Sequence, residues 1–187
     1  MSKIFDKGYN ILNIPEKWSF DGENVNEYED LLFDDNWYWK CKIQKNVKNN
    51  SILNIFNKYE PIIADIIRKD YNIDFTISAE LSLTSIIYYD DKKSSHDTHK
   101  DYGIFTMLLN DNSPNCLFYL DETWKLMNIN KNSIVIFAGE ELEKICDVSA
   151  IEHKVEKPEN FCRFSATRIV WPKNKKNELA NKKLTWI

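Results

Sequence analysis

The chain has 187 residues, a formal charge of −4, and a composition that is 43% hydrophobic and 13% aromatic. That length buries a core without help from disulfides or a structural metal, and the composition lies far from the regime of disorder. The acidic balance speaks against nucleic acid and anionic membranes as partners.

The N-terminal stretch MSKIFDKGYNILNIPEKW carries polar and acidic breaks where a signal peptide needs an apolar core, and no window reaches transmembrane length. A cytoplasmic protein is expected. Next comes an acidic segment, residues 24–35, that is a weak helix candidate. Between Ser51 and Asp70 the apolar residues Ile52, Ile55, Phe56, Tyr59, Ile62, Ile63, Ile66 and Ile67 recur in steps of three and four, which predicts a helix with one face on a core. Pro61 is expected to kink or split it.

From Phe75 the pattern changes to short β-rich runs: TISAELSLTSIIYY, YGIFTMLL, CLFYL, WKLMNI, SIVIFAG and FCRFSATRIVW, separated by polar turns. Many short strands behind a helical front predict a mainly β protein, an antiparallel sandwich or jelly roll with flanking helices. No linker divides the chain. We therefore expect a single domain over 1–187, with a helical front of about 1–72, a jelly-roll core of about 73–172, and a short Lys-rich tail read as a solvated helix. Cys41, Cys116, Cys146 and Cys162 form no C-x-x-C pair and read as free thiols.

The chain has three histidines. His99 is followed two places on by Asp101, a spacing that on extended backbone aims both side chains to one side, where they can share a metal. With 29 acidic residues in the chain that pair is weak evidence by itself. His153, in the turn-to-strand segment IEHKV, supplies a third donor. Two imidazoles and one carboxylate on one face of a metal form the triad of non-haem Fe(II) oxygenases, with positions left open for co-substrate and O2. His96 has Thr98 where a carboxylate would be required, and reads as a solvated loop histidine.

Arg163 follows His153 by ten residues, and only Arg68 and Arg168 share its residue type, so this coincidence weighs more than the first. Arg163 and Ser165 share a strand face. An arginine aimed into a barrel needs an anion, and its planar fork suits a carboxylate. Arg168 has the opposite parity and reads as a surface charge. Glu140, Glu141 and Glu143 read as a solvated helical turn. Trp18, Trp37 and Trp39 read as core packing, and Trp171, at the end of the arginine strand, is the better candidate for lining a site.

These residues carry a family resemblance that covers about Ser85 to Thr167. HKDYGIFTMLLND resembles the H-x-D-x-G-x-x-T-x-L motif of the isopenicillin N synthase-like branch of 2-oxoglutarate/Fe(II)-dependent oxygenases. WKLMNI with NSIVIFAGEELEKI resembles its W-x-x-V…GD-x-LE segment, and HKVEKPENFCRFS its H-R-V…R-x-S ending. The resemblance implies a double-stranded β-helix, iron on His99, Asp101 and His153, and 2-oxoglutarate held through its far carboxylate by Arg163 and Ser165. Tyr89 matches the family's co-substrate tyrosine, and its neighbour Tyr88 should point away. O2 would be consumed with 2-oxoglutarate to hydroxylate, desaturate or cyclise a small-molecule substrate. Three alternatives stay open: an oxidase of the same branch that dispenses with 2-oxoglutarate, a non-catalytic binding module, and a protein or peptide hydroxylase. Oligomeric state is not legible.

Overall fold

The computed structural model describes residues 3–5, 7–32, 40–90, 96–110, 117–130, 132–156 and 162–173. Strand β1 (Tyr9–Asn13) leads through a 3-10 turn at Val25–Glu27 to β2 (Glu29–Leu32), β3 (Lys40–Gln44) and helix α1 (Asn50–Tyr71). Strands β4 (Leu83–Tyr89), β5 (His96–His99), β6 (Phe105–Asn110), β7 (Leu117–Asp121), β8 (Thr123–Leu126) and β9 (Ser133–Ala138) follow. A single helical turn, α2 (Glu140–Glu143), then precedes β10 (His153–Val155) and β11 (Arg163–Val170).

The strands form two antiparallel sheets. The larger has the order β1-β9-β6-β11-β4-β3-β2 and the smaller β5-β10-β7-β8. Within β4–β11 only β7 and β8 are both consecutive and paired, the other consecutive strands being separated as in a jelly roll, and the expected mainly β architecture with flanking helices is what the chain adopts. Two cores result. One joins α1 to the outer face of the large sheet and includes Ile52, Phe56, Ile63, Phe105 and Met107; the other lies between the sheets and includes Ile87, Leu108, Val135, Phe137 and Val155.

Helix α1 starts where the Asn49 side chain accepts from the N–H groups of Ser51 and Ile52, at 3.1 and 3.3 Å. It ends at Asn72, which takes the left-handed conformation with φ 50°. The helix is continuous through Pro61, so of the expected kink or split the split does not occur. Pro61 is exposed, so the carbonyl deprived of its partner faces solvent rather than the core. Ile62 and Ile66 also face outward, at 44% and 38% exposure.

The front of the chain is less helical than expected. Residues 24–35 form no helix in their described part: the Asn24 side chain accepts from Asn26 N–H, one 3-10 turn forms, and the backbone leaves it extended at the buried Tyr28. Strands β2 and β3 then pair with each other, and β3 with β4, while β1 pairs with β9, so the front adds three strands to the large sheet. Ladder hydrogen bonds here outweigh a weak local helix preference. Residues 174–187, the expected terminal helix, lie outside the described residues, as do Trp37, Trp39 and Cys116. Among the described residues no helix is long and apolar enough to cross a membrane.

Candidate metal centre

The small sheet brings the histidines together. His153 on β10 is the direct antiparallel partner of His99 at the end of β5, and their rings lie 4.2 Å apart. Asp101 sits just beyond β5. Its two carboxylate oxygens lie 3.7 Å from His99 Nε2 and 3.9 Å from His153 Nε2. One donor atom from each residue falls within 4.8 Å of the others. Donors at about 2.0–2.2 Å from a metal fit within such a spread after small torsional changes, and an N2O donor set suits a divalent transition metal.

Packing prepares His153 for that role. Its Nδ1 lies 3.2 Å from the Ile151 carbonyl, which leaves Nε2 as the free donor when Nδ1 carries the proton. The Phe137 ring stacks flat on its other side, 4.3 Å away with 1° between the planes. Sequence reasoning missed both contacts, since neither the face of β9 nor the course of the preceding loop is written in a local pattern.

The Asp101 loop is held by α2. Glu140 N–H donates to the Asp101 carbonyl at 2.8 Å, and Glu141 N–H to the carbonyls of Tyr102 and Gly103 at 3.2 and 3.1 Å. The approach is so close that a Cβ on Gly139 would stand 1.9 Å from the Gly103 oxygen, while a Cβ on Gly103 would stand 2.5 Å from the Val170 oxygen, so neither position admits a side chain. The acidic turn is accordingly not simply solvated: Glu141 is 8% exposed and pairs with Lys144, and Glu143 binds Lys100. Backbone seating on the 101–103 loop is what draws it in.

A cavity of about 520 Å³ separates the sheets and reaches the three donors. Its walls include Ile87, Leu108, Leu117 and Val155, with Trp171, Lys45 and Tyr102 also lining it. Tyr89 and Ser165 lie on the wall too, and they flank Arg163, which is 0% exposed. The Arg163 guanidinium lies 4.9 Å from the Tyr89 ring centre, near enough to the Tyr89 hydroxyl to interact with it, and none of its three nitrogens makes a hydrogen bond of ordinary geometry among the described residues. An enclosed cation in that condition is costly and invites an anion. Burial, more than any other influence, raises the Tyr89 phenol above its usual range despite the nearby cation, so Tyr89 remains a hydroxyl donor. Tyr88 lies on the other side of β4, its hydroxyl donating to Cys162 Sγ at 2.9 Å.

Other expectations need correction. Arg168 faces away from Arg163, but it is 9% exposed rather than a surface charge. Helix α1 covers that face of the sheet, and Arg168 bonds Asn57 at 2.7 Å and Glu60 at 3.3 Å. His96 opens β5 opposite Val155 and is not in a loop. Trp18 does pack against the α1 core, beside Phe20, as expected.

No protein-family model matches the chain, and no curated protein matches it. Solved structures do. A candidate oxygenase from Shewanella oneidensis has a TM-score of 0.64 at 16% identity, over 89% of this chain and 82% of that one. A candidate 2OG-Fe(II) oxygenase family protein from Caulobacter crescentus gives 0.58 at 14% identity, over 78% and 63%. A full-length Neurospora crassa protein, solved in complex with alpha-KG and thymine, gives 0.55 at 13% identity, over 90% of this chain and 64% of that one. At these identities the likeness establishes the fold, a jelly roll of the kind found in 2OG-Fe(II) oxygenases.

Proposed function

We propose that this chain is a non-haem Fe(II) oxygenase that uses 2-oxoglutarate and O2 to oxidise a small molecule. The observation that carries the reading is a His/Asp/His donor cluster on a cavity whose wall also carries Tyr89 and Ser165, the two residues that flank an enclosed arginine with no hydrogen bond of ordinary geometry among the described residues. His99, Asp101 and His153 would hold the iron. Arg163, Ser165 and the Tyr89 hydroxyl would hold the far carboxylate of 2-oxoglutarate, the arginine by a charge-assisted pair. When bound, iron and 2-oxoglutarate supply O2 activation coupled to oxidative decarboxylation of the co-substrate to succinate.

The chain's own contribution is position and dryness. Three protein donors gathered on one side leave the other metal positions for ligands, and the apolar walls keep water from the reacting centre. A cavity of about 520 Å³ suits a co-substrate and a small metabolite together. Thymine bound to the Neurospora crassa protein supports a small-molecule substrate. The motifs between Ser85 and Thr167 support the isopenicillin N synthase-like branch, and free thiols at Cys41, Cys146 and Cys162 suit a reducing cytoplasm.

The test is anaerobic titration of the apo-protein with Fe(II) and then 2-oxoglutarate, followed by the visible metal-to-ligand charge-transfer band, with Arg163→Ala as control. The reading expects the band in wild type and its loss or weakening in the variant. Iron binding without the band would favour an oxidase that dispenses with 2-oxoglutarate. Failure to bind iron at all would overturn the reading.

A further inference from the structure

Glu143 is not one of the metal donors, yet its carboxylate joins the two chain segments that carry them. Both oxygens accept from Lys100 Nζ, at 3.1 and 3.3 Å, and Lys100 lies between His99 and Asp101. The same Oε1 accepts from the Ala150 N–H at 3.2 Å, three residues before His153. Glu143 itself is fixed, because the turn it ends is seated through Glu140 and Glu141 on the Asp101–Gly103 backbone. The pairing of β5 with β10 is irregular between His153 and Val155, so register alone does not fix the distance from His153 to the Asp101 loop.

We infer that Glu143 is a positioning residue that sets the spacing between the His99–Asp101 segment and His153, and through it the affinity of the metal site. The inference rests on reading those three residues as metal donors. Lys100 and Glu143 retain 30% and 34% side-chain exposure. A pair so open to water adds little to global stability, which separates this role from a general structural one. Residues that orient metal ligands from outside typically contribute about ten- to a hundred-fold in metal affinity. Gln at this position keeps an acceptor for the Ala150 N–H but loses the charge facing Lys100; Ala loses both.

The experiment is equilibrium titration of the purified apo-protein with Co(II), read from its visible absorption, for wild type, Glu143→Gln, Glu143→Ala and Lys100→Met, with apo melting temperatures taken alongside. Affinity is expected to fall in the order wild type, Glu143→Gln, Glu143→Ala, the last by about ten- to a hundred-fold, with apo melting nearly unchanged in Glu143→Gln and lowered only modestly in Glu143→Ala, which leaves the buried Ala150 N–H without its acceptor. Lys100→Met should resemble Glu143→Gln. Equal affinities across the series overturn the inference while leaving the metal site standing. A loss of affinity matched by a large drop in apo melting also overturns it, because Glu143 would then be an ordinary stabilising residue. If Glu143→Ala does not fold, Glu143→Gln and Lys100→Met decide, and affinities within about twofold of wild type in both overturn the inference. A wild-type protein that binds no Co(II) removes the metal site, and this inference falls with it.

Discussion

Arg163 reverses the usual logic of a buried charge. Most enclosed cations are held by an anionic partner within the fold, and removing that cation is destabilising. Here the fold supplies an aromatic face and a neutral hydroxyl nearby, and no carboxylate or other hydrogen bond of ordinary geometry among the described residues. Arg163→Met should therefore melt no lower than wild type as apo-protein, while losing the rise in melting temperature that 2-oxoglutarate produces with Co(II) present. A large drop in the apo form would show that the guanidinium is satisfied by the protein itself. Cys41 makes a second residue-scale prediction. Burial pushes its thiol up to about 12 from an ordinary 9.0, so the folded state favours the neutral form. That contribution is whole below the unfolded value and is lost as pH rises from about 9 towards 12. The urea midpoint should fall over this range, and fall less in Cys41→Ala.

Helix α1 is stable despite its proline. Pro61 removes the hydrogen bond to the Asn57 carbonyl, four residues back, on a face that water reaches. Pro61→Ala should raise stability by about 1–3 kcal/mol, the interior proline penalty less some gain in chain entropy on unfolding, as read from chemical denaturation. A loss of stability would mean that Pro61 helps hold Glu60 against Arg168. The same helix marks where sequence reading stops. The three- and four-residue spacing gave its existence and inner face, but not that Ile62 and Ile66 lie beyond the sheet they were expected to reach. Alternation along β11 put Arg163 and Arg168 on opposite faces; parity says nothing of what covers a face, and here α1 turns a supposed surface charge into a buried partner of Glu60. The H-x-D spacing, His153 and the arginine ten residues on were readable because each is a short-range pattern. The tie from Glu143 to Ala150 and the ring of Phe137 on His153 depend on how loops return, which no local spacing encodes.

On the scale of the whole molecule, the metal would bridge segments far apart in sequence, and its binding should feed directly into folding stability. At about 100 times the dissociation constant, a ligand specific to the native state adds about 2.7 kcal/mol, or roughly 5–11 °C in melting temperature for a chain of this size. Scanning calorimetry with and without Co(II) should show that shift in wild type, its reversal by chelator, and its absence in Asp101→Ala. The architecture that permits this was only partly visible beforehand. The mainly β core was legible from Phe75 onward, but β1, β2 and β3 were hidden in a segment whose composition favours no element strongly, and they appear because the edges of a sheet recruit them.

The cavity is not symmetric end to end. Along β11, Arg163 pairs with Tyr89 and Ile169 with Leu83. The first pair is sealed, at 0% and 2% exposure, whereas Leu83 and the nearby lining residue Tyr102 stand open at 42% and 40%. A molecule held on Arg163, as proposed, would lie behind Tyr89 and Ser165 at the closed end, and anything filling the open end would stand in its way out. On the proposed oxygenase reading, ligands would follow a compulsory order: the acid on Arg163 would arrive first, the substrate second, and a substrate that arrived early would block the way in. Steady-state rates should then show inhibition by high substrate that excess 2-oxoglutarate relieves.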